Sequence, residues 1–272
     1  MTEAQQHASG QPWLSVITVV KDDPSGYERS LRSLLEQDLV GVEFVVIDSS
    51  STPVALPEGQ SVLGFSTKLQ WMPPAGIYAA MNEGLAAASG EFVYFLNAGD
   101  EFAGIQVLLQ VKQLLAGSAA VWAFGPVVIE MADGMRVITP KWDYERERAL
   151  GFSRGHFPSH QGTFVRRKEL ERIGGFDLEF DIAADYATCL KLSLVAAPIE
   201  LPVSIAVFRE GGISTRNWQS SFRQFHQARL EILHPTGTDA LVQRLYAVRQ
   251  YLLVYASRRV RPALQSLSRT RK

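Results

Sequence analysis

Three polar groups in this chain close runs of β-branched and aromatic residues. Lys21, Asp22 and Asp23 follow LSVITVV, Asp48 and Ser49 follow EFVVI, and residues 97–100, Asn-Ala-Gly-Asp, follow EFVYFL. Ligands of open α/β sheets bind beyond the carboxyl ends of the strands, so three such groups in one chain point to a shared binding edge. The chain has no Gly-rich dinucleotide loop after its first strand and no Walker Lys-Ser/Thr loop, which argues against a dehydrogenase or a P-loop NTPase. A nucleotide bound here needs its phosphates neutralised in another way, and an aspartate holding a divalent cation is the simplest. Mg²⁺ and Mn²⁺ take hard oxygen ligands, often only one or two from protein with phosphate and water as the rest, and Asp100 is suited to that task.

Other candidates are weaker. Gly151, Ser153 and Gly155 match the G-x-S-x-G nucleophile pattern, but charged residues 143–148 precede it and Pro158 follows, where a strand and a helix are required. His156 and His160 are four apart with Pro158 between them, which speaks against a common helical face and for loop histidines near a cleft. Ile182, Tyr186, Leu190 and Leu194 form an i, i+4 stripe with Asp185 at its margin. An acid in that position is either a helix-dipole partner or a functional carboxylate, and spacing alone leaves both open.

These residues need elements to position them. Residues 14–20 and 42–47 read as buried strands, with a helix over 27–37 between them after the breakers Pro24 and Gly26, which makes a βαβ unit. Residues 76–90 read as a helix with Gly90 as a left-handed C-cap, 91–96 as a strand and 105–115 as a helix. Residues 121–138 read as a hairpin turning at Ala132-Asp133-Gly134, 168–173 and 182–194 as helices, and 201–209 as extended. No linker separates two domains, and 272 residues with 46% hydrophobic content can bury one full core.

The longest apolar runs are strand-length, far from the ~20 residues that span a bilayer. Residues 1–11 are polar and read as no signal peptide, and a single cysteine, Cys189, allows no internal disulfide, so a cytosolic location is expected. The net charge of −1 hides an asymmetry. Residues 240–272 hold eight of the 27 bases and no acid, which puts this tail at +8 and the remaining 19 bases against 28 acids at −9. Leu241, Leu245, Val248, Leu252 and Tyr255 run through the tail at alternating four and three spacing, flanked by Arg244 and Arg249. Such a helix packs on the body or on a partner subunit in a homo-oligomer, or lies on an anionic membrane surface, or does both. The acidic body offers no nucleic-acid footprint.

The ordered segments LSVITVV (14–20), EFVVIDSSST (43–52), GIYAAMNEGLAAASGEFVYFLNAGD (76–100), SHQGTFVRR (159–167), GGFD (174–177), AADY (183–186) and GGIS (211–214) resemble family 2 glycosyltransferases of the GT-A fold. The resemblance is strongest to the bacterial branch that builds surface polysaccharides and glycolipids, and it covers about three quarters of the chain. It implies an α/β fold: a single GT-A domain over 12–215, with a nucleotide-sugar half at 12–100 and an acceptor half at 101–215. A mainly parallel central sheet flanked by helices would form that domain, followed by a helical, basic extension at 216–272.

The implied activity is inverting sugar transfer from a nucleotide-diphosphate donor to a glycan or lipid-linked acceptor, with Mn²⁺ or Mg²⁺ as cofactor. The resemblance places the nucleotide at Thr18, Val20, Lys21, Asp48, Ser49, Asn82 and Asn97, and the metal at Asp100. It makes Asp185 the general base and puts His160 and Gln161 on the acceptor side. It also implies a cytoplasmic enzyme, peripheral on the inner face of the cell membrane if its acceptor is lipid-linked. Four positions depart from the family pattern: Ser49 stands where many members have a second acid, Ala75 and Ala79 replace acids around Gly-Ile-Tyr, and Asn97 replaces the first metal-motif acid. Ser49 still offers a hydroxyl to a uracil base, while guanosine and thymidine donors gain ground. These departures also motivate an alternative, a catalytically idle nucleotide-sugar-binding or scaffold protein of the same fold. A serine hydrolase using Ser153 is the third reading.

Overall fold

The computed structural model describes residues 10–55, 65–147, 152–209, 211 and 217–269. Its strands are β1 Leu14–Val20, β2 Val42–Asp48, β3 Ser66–Trp71, β4 Phe92–Phe95, β5 Glu101–Phe102, β6 Trp122–Phe124, β7 Val128–Glu130, β8 Arg136–Ile138, β9 Thr163–Arg166, β10 Ile199–Glu200 and β11 Ala206–Arg209. The main helices are α1 Pro24–Leu35, α2 Ile77–Ala87, α3 Val107–Leu115, α4 Arg167–Arg172, α5 Ala184–Val195, α6 Trp218–Leu233 and α7 Gly237–Arg269. Seven strands form the central sheet in the order β10-β6-β9-β4-β1-β2-β3, parallel throughout except for β9, which runs antiparallel to both β4 and β6. The carboxyl ends of β1, β2, β4 and β6 therefore share one edge with the amino end of β9. A smaller sheet, β5-β11-β7-β8, stands beside it.

Alternate residues of a strand face opposite sides, and β1 uses both. Ile17 and Val19 pack with Val45, Ile47, Met81 and Leu85 beneath α2, while Leu14, Val16 and Val20 pack with Phe44, Leu31 and Leu34 beneath α1. All seven residues of β1 and of β2 are buried, as in a sheet covered on both faces.

Several elements differ from the sequence reading in instructive ways. Helix α1 begins at Pro24, not Tyr27, because Asp23 caps it (Gly26 N–H to Oδ1, 2.8 Å) and Pro24 suits the first turn. Gly90 is no C-cap: α2 ends at Ala88 in extended geometry, and Gly90 is needed for close approach, since a Cβ there would lie 2.5 Å from the Ser15 nitrogen. Its N–H bonds Ser15 Oγ (2.8 Å) and the buried Glu43 carboxylate (3.0 Å).

Residues 121–138 do not form one hairpin. Strand β6 joins the central sheet and stops at Gly125, where a Cβ would lie 2.5 Å from the Val203 carbonyl oxygen, and the hairpin is β7–β8 alone. Residues 201–209 are likewise divided, with only β11 a strand. Helix α5 starts at Ala184, since the N–H groups of Ile182 and Ala183 turn to Gln224 Oε1 (3.0 and 3.2 Å), and Leu194 is 60% exposed. The buried stripe thus reduces to Tyr186 and Leu190. The GGIS segment past Gly211, the expected boundary at 215/216, Gly151 and the side chains of the basic cluster from Arg258 onward lie outside the described residues.

Candidate active site

The end of β1 and the end of β2 are latched together. Val20 accepts a hydrogen bond from Ser49 N–H (2.9 Å), Asp22 N–H donates to Ser50 Oγ (2.8 Å), and Ser51 N–H returns one to Asp22 Oδ1 (2.8 Å). Asp22 holds a left-handed φ of 52° to do this, a conformation that Asp tolerates better than most residues. Asp48 is buried, and both its oxygens go to backbone: Oδ1 accepts Ser50 N–H (2.8 Å) and Oδ2 accepts Val54 N–H (2.7 Å). Thr18 is buried and donates to the Leu96 carbonyl (2.7 Å), tying β1 to β4. Lys21 is exposed at the rim.

Asn82 stands midway along α2, and its amide bridges to one residue: Nδ2 donates to the Phe176 carbonyl (2.7 Å) and Oδ1 accepts Phe176 N–H (2.8 Å). It fastens α2 to the Gly-Gly-Phe-Asp loop. Gly175, at φ +65°, passes so close that a Cβ would meet Asn82 Oδ1 at 2.5 Å.

The loop after β4 is held by its backbone and open in its side chains. Gly99, at φ +98°, turns the loop, Asp100 N–H bonds the Asn97 carbonyl (2.9 Å), and Ser30 Oγ from α1 accepts Gly99 N–H (3.0 Å) within reach of the Asn97 and Asp100 carbonyls. Asn97 Oδ1 is buried with no hydrogen-bond partner among the described residues. Burial pushes the Asp100 carboxyl up to about 7. A bare amide oxygen and a desolvated carboxylate on one tight turn are hard donors suited to a divalent cation that takes its remaining ligands from phosphate and water. Among the described residues no three His, Cys, Asp or Glu side chains form a ready-made metal cage. The residues thus fit a cation shared with a phosphorylated ligand.

Asp185 stands in the first turn of α5. Its Oδ1 accepts Tyr186 N–H (2.7 Å) and the Tyr78 hydroxyl (3.2 Å), which also reaches the Ile182 carbonyl (2.8 Å); Oδ2 takes no bond from a described residue. Burial, with Asp185 beside it, drives the Tyr78 hydroxyl far above its ordinary range, so it stays a donor. Asp185 shares a cavity of about 30 Å³, room for a water-sized group, with His160 and Cys189. Burial lowers the His160 pKa against the opposing pull of Asp185, and its Nδ1 is buried without a partner among the described residues. Gln161 turns its side chain to Ser159 Oγ and its carbonyl to the Tyr94 hydroxyl. Further along the edge a cavity of about 770 Å³ opens between the end of β6 and residues 138–142, with Trp142, Phe157 and Pro158 among its walls.

The remaining motifs stand apart. Ser153 is buried in a 3-10 turn at Phe152–Arg154 and donates to Gln243 Oε1 (3.0 Å), with no strand-turn-helix around it among the described residues. His156 and His160 share no helix, since His160 opens its own turn, His160–Gly162. Cys189 is a buried free thiol.

The family model "Glycosyl transferase family 2" matches residues 15–174, which span the latched β1–β2 ends, the 97–100 turn and His160. The chain belongs to glycosyl transferase family 2. A glycosyltransferase of Mycobacterium tuberculosis is 30% identical over 221 residues, covering 77% of this chain and 80% of that one. A PGL/p-HBAD biosynthesis glycosyltransferase of Mycobacterium bovis is 26% identical, over 64% and 67%. Among solved structures, a mannosyltransferase of Pyrobaculum calidifontis in complex with GDP-Man and Mn²⁺ gives a TM-score of 0.60 at 18% identity, covering 96% of this chain and 81% of that one. S. aureus TarS 1-349 in complex with UDP gives 0.63 at 16%, covering 88% and 70%. At these identities the likeness is one of fold, and the fold is GT-A.

Three side chains beside the family motifs were not singled out by the sequence. Tyr78 orients Asp185. The Arg29 guanidinium lies, with Asp23, within 4 Å of where a side chain on Gly99 would begin, and its Nε is buried without a partner among the described residues. Tyr27, whose hydroxyl is likewise buried and bare, is pushed to about 12 by burial and by Asp48. Tyr78 had a signal in its place inside Gly-Ile-Tyr and Tyr27 in helix spacing; Arg29 had none.

Proposed function

We propose that this family 2 glycosyltransferase transfers a sugar from a nucleoside-diphosphate donor to a hydroxyl of a glycan or lipid-linked acceptor, with inversion at the anomeric carbon. One observation carries the reading: Asp185, at the amino end of α5, has one oxygen bonded by Tyr78 and Tyr186 and the other without a bond from a described residue, in a cavity with His160 and with Phe95, the last residue of β4. The nucleotide would lie over the ends of β1 and β2, against Thr18, Val20, Lys21, Asp48 and Ser49, with Asn82 nearby and Asn97 beside the cation. Thr18, Asp48 and Asn82 would act mainly by holding the walls, since their polar atoms are engaged. His160 and Gln161 would meet the acceptor, whose remainder fits the apolar cavity beside Trp142 and Phe157.

In the reaction the acceptor oxygen forms a bond to the anomeric carbon as the bond to the diphosphate oxygen breaks, and that electron pair leaves with the diphosphate. Asp185 takes the hydroxyl proton on its free oxygen, a general-base contribution of roughly 10²- to 10⁴-fold. Tyr78 keeps the carboxylate pointed at the acceptor, and neutral His160 leaves Nδ1 as an acceptor for a hydroxyl. Asp100 and Asn97 would hold Mn²⁺ or Mg²⁺, which supplies positive charge for the departing diphosphate. Attack from the face opposite the leaving group inverts the centre without a covalent enzyme intermediate.

The test begins with a thermal-shift screen of UDP, GDP, dTDP and CDP with Mn²⁺ to find the base, followed by transfer assays with matching sugars. Asp185→Asn should lower kcat by roughly 10²-fold or more with nucleotide affinity nearly unchanged. An active Asp185→Asn enzyme would remove Asp185 as the base. A wild-type chain that binds nucleotide but neither transfers nor hydrolyses any donor would leave the idle binder as the reading.

A further inference from the structure

Helix α7 is amphipathic the wrong way round for a helix that covers a core. It meets the body through α6 and the 152–154 turn. The residues on that side, Gln243, Ala247, Gln250 and Val254, recur at four-three-four spacing and are all half-buried. Gln243 accepts from Ser153 Oγ (3.0 Å) and from the buried Arg229 Nε (3.1 Å). At about 100° per residue the opposite face carries Leu241, Leu245, Val248 and Leu252, and these are 57–60% exposed. Val242 and Leu253 widen that apolar face, and Arg244 and Arg249 lie exposed along its two sides. Beside Gln250, Tyr251 sets its ring 5.4 Å from that of Trp218 on α6, so the helix turns two glutamines and one aromatic inward and its leucines outward.

Charge decides between the candidate occupants. Four-three spacing is also a coiled-coil seam, but two copies aligned in parallel along it would set Arg244 of one against Arg249 of the other, and residues 240–272 hold no acid to relieve the repulsion. An apolar stripe edged by arginines, followed in sequence by Arg258, Arg259, Arg261, Arg269, Arg271 and Lys272, complements an anionic bilayer surface, where leucines enter the acyl boundary and arginines reach headgroup phosphates. No helix among the described residues is long and apolar enough to cross a membrane, so α7 would lie on the surface. We infer that the outer face of α7 docks the chain on anionic lipid, leucines and arginines acting together. Since α7 packs on α6 and α6 on α5, docking would bring the Asp185 edge to a lipid-borne acceptor.

Flotation of the full chain with vesicles of equal parts phosphatidylglycerol and phosphatidylcholine tests this. Wild type should float with these vesicles, fall off in about 0.5 M salt, and ignore pure phosphatidylcholine. The double variants Leu245→Glu/Leu252→Glu and Arg244→Gln/Arg249→Gln should each weaken partition by about tenfold or more; both alter water-exposed side chains, and unchanged nucleotide affinity confirms an intact fold. Equal partition of wild type and variants, or equal binding to neutral vesicles, overturns the inference. A vesicle-free dimer that the leucine variant makes monomeric overturns it in favour of a second copy. These readouts involve no sugar transfer, so their failure is separate from failure of the proposed reaction.

Discussion

The loop after β2 and the loop after β4 flank β1 on the same sheet edge, and each presents an aspartate, yet the two carboxylates are in opposite conditions. Asp48 has both oxygens bonded to the backbone of its own loop, and Trp71 Nε1 closes that loop further by bonding the Ser50 carbonyl (3.1 Å). Asp100 has a backbone fixed by Ser30 and a carboxyl raised by burial, beside an amide oxygen without a partner. A strand-end aspartate is scaffold when backbone N–H groups satisfy it, and it is open to a ligand when the protein holds its main chain and leaves its oxygens bare. Sequence position does not tell these apart; the fate of the oxygens does.

The contrast can be broken most forcefully at Asp48. Asp48→Ala strands the N–H groups of Ser50 and Val54, and the loss of their acceptor should cost about 3 kcal/mol of stability, more than 100-fold in the unfolding equilibrium, as read by urea denaturation. A loss below about 1 kcal/mol would show that its oxygens are not scaffold. Asp100→Ala should behave in the reverse manner. Unfolding stability without ligand should hold or rise, since a desolvated carboxyl is removed, while the gain in nucleotide affinity on adding Mn²⁺ should shrink by at least about tenfold in titration calorimetry. An unchanged Mn²⁺ effect would move the cation away from Asp100.

The same distinction explains what could be read from the sequence. The βαβ unit, the strand ends and the buried faces were legible because β-branched runs and helix spacing report burial directly, and β1 and β2 came within one residue of their bounds. Gly90 and Gly125 were not legible as sites of close approach, because what forbids their side chains comes from Ser15 and Val203, distant in the chain. The site residues were legible as motif positions but not in their tasks. Asn82 reads as a ligand contact until the Phe176 backbone is seen to occupy its amide, and spacing, which left Asp185 balanced between dipole partner and reagent, gave no sign that Tyr78 would reach one of its oxygens from a helix more than a hundred residues away.

The smallest expected effect is at His160, which resembles Asn97 in having a buried atom with no partner among the described residues but differs in that it can titrate. The groups facing it in its cavity are Asp185, whose charge favours protonation, and Cys189, a buried thiol held above its ordinary range. Burial wins, and the imidazole pKa lies below its ordinary 6.5. A folded pKa lower than the unfolded one means that the unfolded chain binds the proton more readily. This contribution to stability is therefore complete above pH 6.5 and is lost as pH falls through the folded value. Each unit of separation is worth about 1.4 kcal/mol at the acid limit, so His160→Gln should flatten the acid side of a melting-temperature profile while leaving the profile above pH 7 nearly parallel to wild type. An acid limb of undiminished slope in His160→Gln would show that His160 stays as accessible to protons folded as unfolded, and its cavity would then be as wet as the rim at Lys21.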